Sequence, residues 1–157
     1  MNAYKQEFMD RAVWLAGSHL RAGVRGGGPF GAVVVKDGAI VGEGFQQVIA
    51  LKDPTAHAEI LAIRDACRRL GSRLLDGCEL YATYVPCPMC LSASRWARID
   101  RIYYAADGLS DIKINNADFA LYEELKNPDK GVKVESSTEA VAQVMQAWRE
   151  HFCEAGK

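Results

Sequence analysis

The chain has 157 residues, enough for one domain with a substantial core and too few for two of ordinary size. Apolar residues make up 49%, charged residues 25%, and the formal net charge is −1, the profile of an ordinary globular protein in water. Charges of both signs are interspersed, which argues against a nucleic-acid surface, and no apolar run is long enough to span a bilayer. The polar start Met1-Asn2-Ala3-Tyr4-Lys5-Gln6-Glu7 lacks the apolar run of a signal peptide, and the five cysteines are odd in number with no framework spacing. Both point to a reducing cytoplasm.

Phe8, Ala12, Leu15, Ala16 and Leu20 fall at helical spacing, so the chain is expected to open with an amphipathic helix. His19 lies near that stripe and reads as a packed or capping residue. Gly26-Gly27-Gly28-Pro29 breaks the helix. Phe30 to Val35 reads as a buried strand, Lys36-Asp37-Gly38 as a turn, and Ala39 to Phe45 as the partner strand. A second helix is expected from Asp53-Pro54, with Asp53 as N-cap and Pro54 at the first helical position. Gly71 ends it. Glu79 to Thr83 is a third strand. Cys87 opens the next helix, with Pro88 in its first turn, and Arg101 to Ala105 is a fourth strand. A polar loop, a short helix around Phe119 to Leu125 and a short strand Val132 to Glu135 follow. Ser136 and Glu139 form a capping box for a last helix carrying Val141, Val144, Met145, Trp148 and Phe152. Strands alternating with helices imply a single α/β domain over 1–157, with a mixed sheet.

Two segments carry chemistry: Pro54-Thr55-Ala56-His57-Ala58-Glu59 and Val85-Pro86-Cys87-Pro88-Met89-Cys90. Together they offer one imidazole, two thiols and a spare carboxylate. Three such ligands make an open zinc site, whose fourth position holds a water with its pKa lowered toward ~7. A redox dithiol would leave His57 and Glu59 without a role. A closed structural zinc site would need a fourth ligand from Cys67, Cys78 or Cys153, each of which reads better as a small core residue. Cys87 and Cys90 share one helix face, at an end that stabilises thiolates. His57 and Glu59 do not share a helix face, so both reach one pocket only if the site lies at the helix tip.

The H-x-E … P-C-x-x-C pattern is the signature of zinc-dependent base deaminases. The chemistry it supports is attack of an activated water on a ring carbon bearing an exocyclic amino group. Glu59 takes the water proton, delivers it to the adjacent ring nitrogen, and later protonates the departing amine.

The residues Gly27 to Gly38, Asp53 to Ile60, Pro86 to Leu91, Trp96 to Ala105 and Gln146 to Arg149 resemble the guanine deaminase branch of the cytidine deaminase-like superfamily, over nearly the whole chain. The resemblance implies a three-layer α-β-α sandwich around a five-stranded mixed sheet. It implies a zinc cofactor on His57, Cys87 and Cys90, and a homodimer that exchanges C-terminal helices. Trp96, Tyr103, Tyr104 and Trp148 are more large rings than one small core needs, which suits a dimer. The activity implied is hydrolysis of guanine to xanthine and ammonia, on a free base and not a nucleic acid.

Three departures fall where such proteins sort substrates. The family usually has Asn at Gln46, the amide that holds the base, and Glu at Val85. Ser110 to Phe119 stands where an acidic segment is usual, so Asp118 or Asp111 is expected to fill that role. The expected base site is Gln46 at the ring edge, backbone amides near Ala58 at a ring carbonyl, and Phe30, His57 and Tyr84 about the ring. The longer Gln46 arm also suits a smaller ring, isocytosine or cytosine. A tRNA adenosine deaminase is disfavoured by the near-neutral charge and the lack of a basic tail. A catalytically silent binding protein is disfavoured by the intact Glu59.

Overall fold

A computed structural model describes residues 4–106 and Lys126. The chain divides into two units, Met1–Phe119 and Ala120–Lys157, and every element below belongs to the first. The sequence expectations after Ala106 (the short helix, the fifth strand, the last helix, Asp111, Asp118, Trp148 and Cys153) lie outside the described residues.

Helix α1 spans Gln6–Ala16 and buries Phe8, Met9, Ala12 and Leu15. It stops one turn earlier than the apolar stripe suggests. The N–H of Gly17 bonds back to Trp14 and the Ser18 hydroxyl donates to the Leu15 carbonyl, which closes the last turn. A separate helix, α2, covers Ser18–Ala22. The break turns Leu20 off the buried stripe and leaves it 87% exposed.

Strand β1, Gly31–Lys36, returns as β2, Ala39–Phe45. Asp37 (φ 51°) and Gly38 (φ 79°) both adopt the left-handed region, the conformation of a two-residue hairpin turn matched to strand twist. Helix α3 runs Ala58–Leu70 and ends on Gly71, at φ 61°. It starts later than the Asp53-Pro54 signal implied. The Asp53 carboxylate instead accepts from the Thr55 N–H and hydroxyl, at 2.8 and 2.7 Å. That closes a local turn ahead of the helix, and His57 becomes the N-cap. Strand β3 covers Cys78–Tyr84, helix α4 Pro88–Trp96 and strand β4 Arg101–Ala106.

The sheet order is β2-β1-β3-β4. β1 is antiparallel to both β2 and β3, while β3 and β4 are parallel, with α4 connecting them. This is the mixed sheet that the resemblance implies, with four strands among the described residues. Alternation along β1 divides the core. Val33 and Val35 meet α1 with Tyr81 on one face. Ala32 and Val34 meet Ala58, Ala62 and Ala66 of α3 on the other. Of the candidate dimer rings, Tyr103 packs on Tyr81, with centroids 4.7 Å apart, whereas Trp96 and Tyr104 are 84% and 52% exposed.

Two glycines of β2 let α3 seat closely on that strand. A Cβ at Gly42 would meet the Ala62 carbonyl oxygen at 2.4 Å, and one at Gly44 would meet that of Ala58 at 2.2 Å. These obstacles are backbone and cannot rotate away. Gly44→Ala is therefore expected to cost about 1–3 kcal/mol, as overpacking does. It should lower the urea midpoint with little change in slope. A midpoint equal to that of the parent would show that α3 lifts off the strand without cost.

Candidate metal centre

Two helix tips meet at one end of the sheet. The end of β2 leads through a run of turns to α3, and the end of β3 leads directly to α4. The α3 approach is pinned by the Gln47 N–H to the Ala56 carbonyl and by Asp53 N–H to the Val48 carbonyl. At the α4 approach, Pro88 follows Cys87 in the first helical position, where a missing N–H costs nothing. His57 and Cys87 are the two N-caps, and neither makes a side-chain capping bond.

Their side chains point at one another instead. His57 Nδ1 lies 3.7 Å from Cys87 Sγ and 3.6 Å from Cys90 Sγ. The three ligand atoms all lie within 4.8 Å of each other, the one such group among the described residues. A tetrahedral centre with zinc–nitrogen near 2.0–2.1 Å and zinc–sulfur near 2.3 Å would separate N from S by about 3.6 Å. The observed separations match. Cys67 and Cys78, the other described thiols, belong to the hydrophobic core beneath α3, as their sequence context suggests.

The Cys87 and Cys90 thiols are coupled to each other and to His57. Cys87 is pushed down to about 4 by the hydrogen bond from the Cys90 thiol and by His57. Cys90 is pushed up by the same bond, by burial and by the Glu59 carboxylate. The donor set, a neutral imidazole and two thiolates, is the soft type that zinc favours.

Glu59, in the first turn of α3, is 7% exposed. Its carboxyl accepts from its own backbone N–H and lies beside the Cys90 thiol and His57, and burial raises its pKa. The tip geometry resolves the spacing problem. His57, with extended φ and ψ, aims outward from the cap, so it and Glu59 need not share a helix face. Ala58 is 1% exposed and is the first residue of α3, where a backbone N–H has no acceptor within the helix.

The remaining expected base-site residues gather at the same sheet end. Phe30 precedes β1 and Tyr84 ends β3, with ring centroids 5.5 Å apart in an edge-to-face pair. Gln46 follows β2, and its N–H donates to the Phe30 carbonyl at 3.0 Å. A Cβ on Gly28 would lie 2.7 Å from the Phe30 ring and 3.6 Å from Gln46 Nε2, so ring and amide rest against one bare face. Val85, between β3 and α4, is 36% exposed.

The fold and the donor set define a zinc-dependent hydrolase. Residues 3–106 match the cytidine and deoxycytidylate deaminase zinc-binding region. The chain is 49% identical to guanine deaminase of Bacillus subtilis over 123 residues, 78% of each chain. A crystal structure of the Bacillus subtilis guanine deaminase superposes with a TM-score of 0.78 at 41% identity, covering 94% of this chain and 95% of that one. A tRNA-specific adenosine deaminase of Aquifex aeolicus is 50% identical over 86 residues, 55% of this chain and 57% of the other. The chain belongs to the cytidine and deoxycytidylate deaminase family. It is a hydrolytic deaminase, acting on carbon–nitrogen bonds, and it binds zinc. Among the described residues no helix is long and apolar enough to cross a membrane.

X-ray absorption on the zinc-loaded protein is expected to show two sulfurs near 2.3 Å and two nitrogen or oxygen neighbours near 2.0–2.1 Å. Cys90→Ser should bind zinc at least tenfold more weakly, because a hydroxyl replaces a thiolate. A third sulfur in the first coordination sphere would overturn the open site.

Proposed function

We propose that the enzyme deaminates a free amino-bearing nucleobase, with guanine, giving xanthine and ammonia, as its preferred substrate. One observation carries the choice of guanine. Sequence likeness to the Bacillus subtilis guanine deaminase runs along 78% of this chain and 78% of that one, at 49% identity. Likeness to the Aquifex aeolicus tRNA deaminase is as strong residue for residue but stops at 55% of this chain. The family's zinc-binding region, residues 3–106, contains the metal donors, so family membership speaks for the chemistry and not for the substrate. A net charge of −1 also suits a small neutral base better than a phosphate backbone.

Held by His57 Nδ1, Cys87 Sγ and Cys90 Sγ, zinc would supply the Lewis acidity that makes water nucleophilic near neutral pH. Glu59 takes a proton as the water oxygen bonds to the amino-bearing ring carbon, and gives it to the adjacent ring nitrogen. Glu59 then moves the remaining hydroxyl proton to the amino group, which leaves as ammonia while the carbon becomes a carbonyl. A carboxyl raised by burial is suited to both taking and giving a proton. Phe30 and Tyr84 flank the ring with His57. The Ala58 N–H binds a ring carbonyl. The Gln46 amide, donor and acceptor together, binds the far edge.

Ammonia release from guanine, isocytosine, cytosine and adenine, and from a tRNA anticodon stem-loop, tests the reading. The largest kcat/KM is expected for guanine. Preference for isocytosine or cytosine would assign the smaller ring, turnover of the stem-loop alone would assign tRNA, and a zinc-replete protein inert toward all five would be a silent relative. Glu59→Gln should retain zinc and fold while kcat falls by at least ~10²–10⁴, the usual contribution of a general acid–base group. Near-parent turnover in that variant would assign the proton transfers to another residue.

A further inference from the structure

His19 lies in α2, and neither the metal donors nor the apolar core uses it. Its Nε2 is 2.7 Å from the carbonyl oxygen of Gln46. A carbonyl only accepts, so Nε2 carries a proton and donates. The ring stands edge-on to Phe45, centroids 5.2 Å apart at 73°. It fills the space beside Gly26, where a Cβ would lie 1.9 Å from the ring carbon Cε1. Only glycine at that position admits the ring. The Gly26 carbonyl in turn accepts from the N–H groups of Ile49 and Ala50, both at 3.0 Å, which ties the glycine run to the turn after β2.

The Gln46 backbone is therefore held from two sides. Phe30 accepts its N–H at 3.0 Å and His19 donates to its carbonyl. From this root the side chain runs over Gly27 and Gly28 toward the Phe30 ring. Glutamine has three side-chain torsions to order when its amide meets a ligand, and ordering such a chain costs affinity. Fixing its root removes part of that cost before the base arrives.

We propose that His19 is a positioning residue for substrate binding: its Nε2–H fixes the Gln46 peptide, and so sets the direction in which the Gln46 amide meets the base. The assignment rests on the reading of Gln46 as a base contact. Its signature is in KM, because His19 touches neither Glu59 nor the metal donors. A merely structural residue would instead lower stability or zinc content, or change kcat and KM together.

The test is steady-state kinetics with guanine on the zinc-loaded full chain. His19→Phe keeps a ring and removes the donor; His19→Gln removes the ring and keeps an N–H donor. His19→Phe is expected to raise KM about five- to tenfold, the effect of one lost hydrogen bond, with kcat within about twofold and zinc content unchanged. His19→Gln should keep KM within about twofold of the parent. Gly26→Ala, which evicts the ring, should reproduce the His19→Phe value. In a Gln46→Ala background, His19→Phe should add nothing further. Should His19→Phe not fold, His19→Leu takes its place with the same expected KM. Parent-like KM without the donor, equal losses in His19→Gln and His19→Phe, or independent effects of His19→Phe and Gln46→Ala would each overturn the positioning role alone. Parent-like kinetics in Gln46→Ala itself would overturn the reading of Gln46, and this assignment with it.

Discussion

The close seat of α3 on β2 is the constraint on which the metal centre depends. Gly42 and Gly44 offer bare backbone to Ala58, Ala62 and Ala66, so helix and strand approach closely at those two positions. The first residue of that contact, Ala58, is also the first residue of the helix. Fixing Ala58 fixes its neighbours, and those neighbours are His57 and Glu59. A larger residue at Gly44 would push against the helix end that carries the site. α4 is placed by a different device. Its strands β3 and β4 are adjacent and parallel, so the helix connecting them lies over that part of the sheet and its N-terminus falls at the same end as that of α3.

The site is assembled at a cost in local stability. N-caps favour Ser, Thr, Asp or Asn, whose oxygens accept the free N–H groups of the first turn, and losing such a cap costs about 1 kcal/mol. Here both caps are residues that make no capping bond, His57 and Cys87. Glu59 is buried and Cys90 is fully enclosed, so burial disfavours the ionised form of both. Zinc held by His57, Cys87 and Cys90 would offset these penalties, since it would neutralise the thiolates and favour the folded arrangement of donors over a loose chain. Local irregularity at the two caps and chemistry at the two caps are one feature.

The residues we propose as the base end are placed differently, at the edges of strands: Phe30 before β1, Gln46 after β2, Tyr84 at the end of β3. Antiparallel pairing of β1 with both β2 and β3 brings the start of one strand beside the ends of the other two. The Gly26 to Gly28 run lies alongside, and its bare faces accommodate the His19 ring, the Gln46 chain and the Phe30 edge.

Much of this was legible in the chain. The β1–β2 hairpin follows from Lys36-Asp37-Gly38 between apolar runs, because few residues besides glycine and aspartate tolerate the left-handed turn. The donors His57, Cys87 and Cys90 follow from residue types whose joint spacing has few other uses. Other features required the fold. The start of α3 was misplaced because Asp53 satisfies a local turn as readily as a helix cap, and only the packing of Ala58 on Gly44 selects between them. Leu20 kept helical spacing but lost its face at Gly17, where hydrogen bonds and not periodicity end α1. His19 reads from the sequence only as a packed or capping residue, since its partner Gln46 is distant in sequence and the bond joins a side chain to a backbone carbonyl that every residue possesses. The sequence by itself determined which atoms are available to bind a metal and move protons. Tertiary structure decided where they stand, because a helix tip takes its position from the backbone contact beneath it.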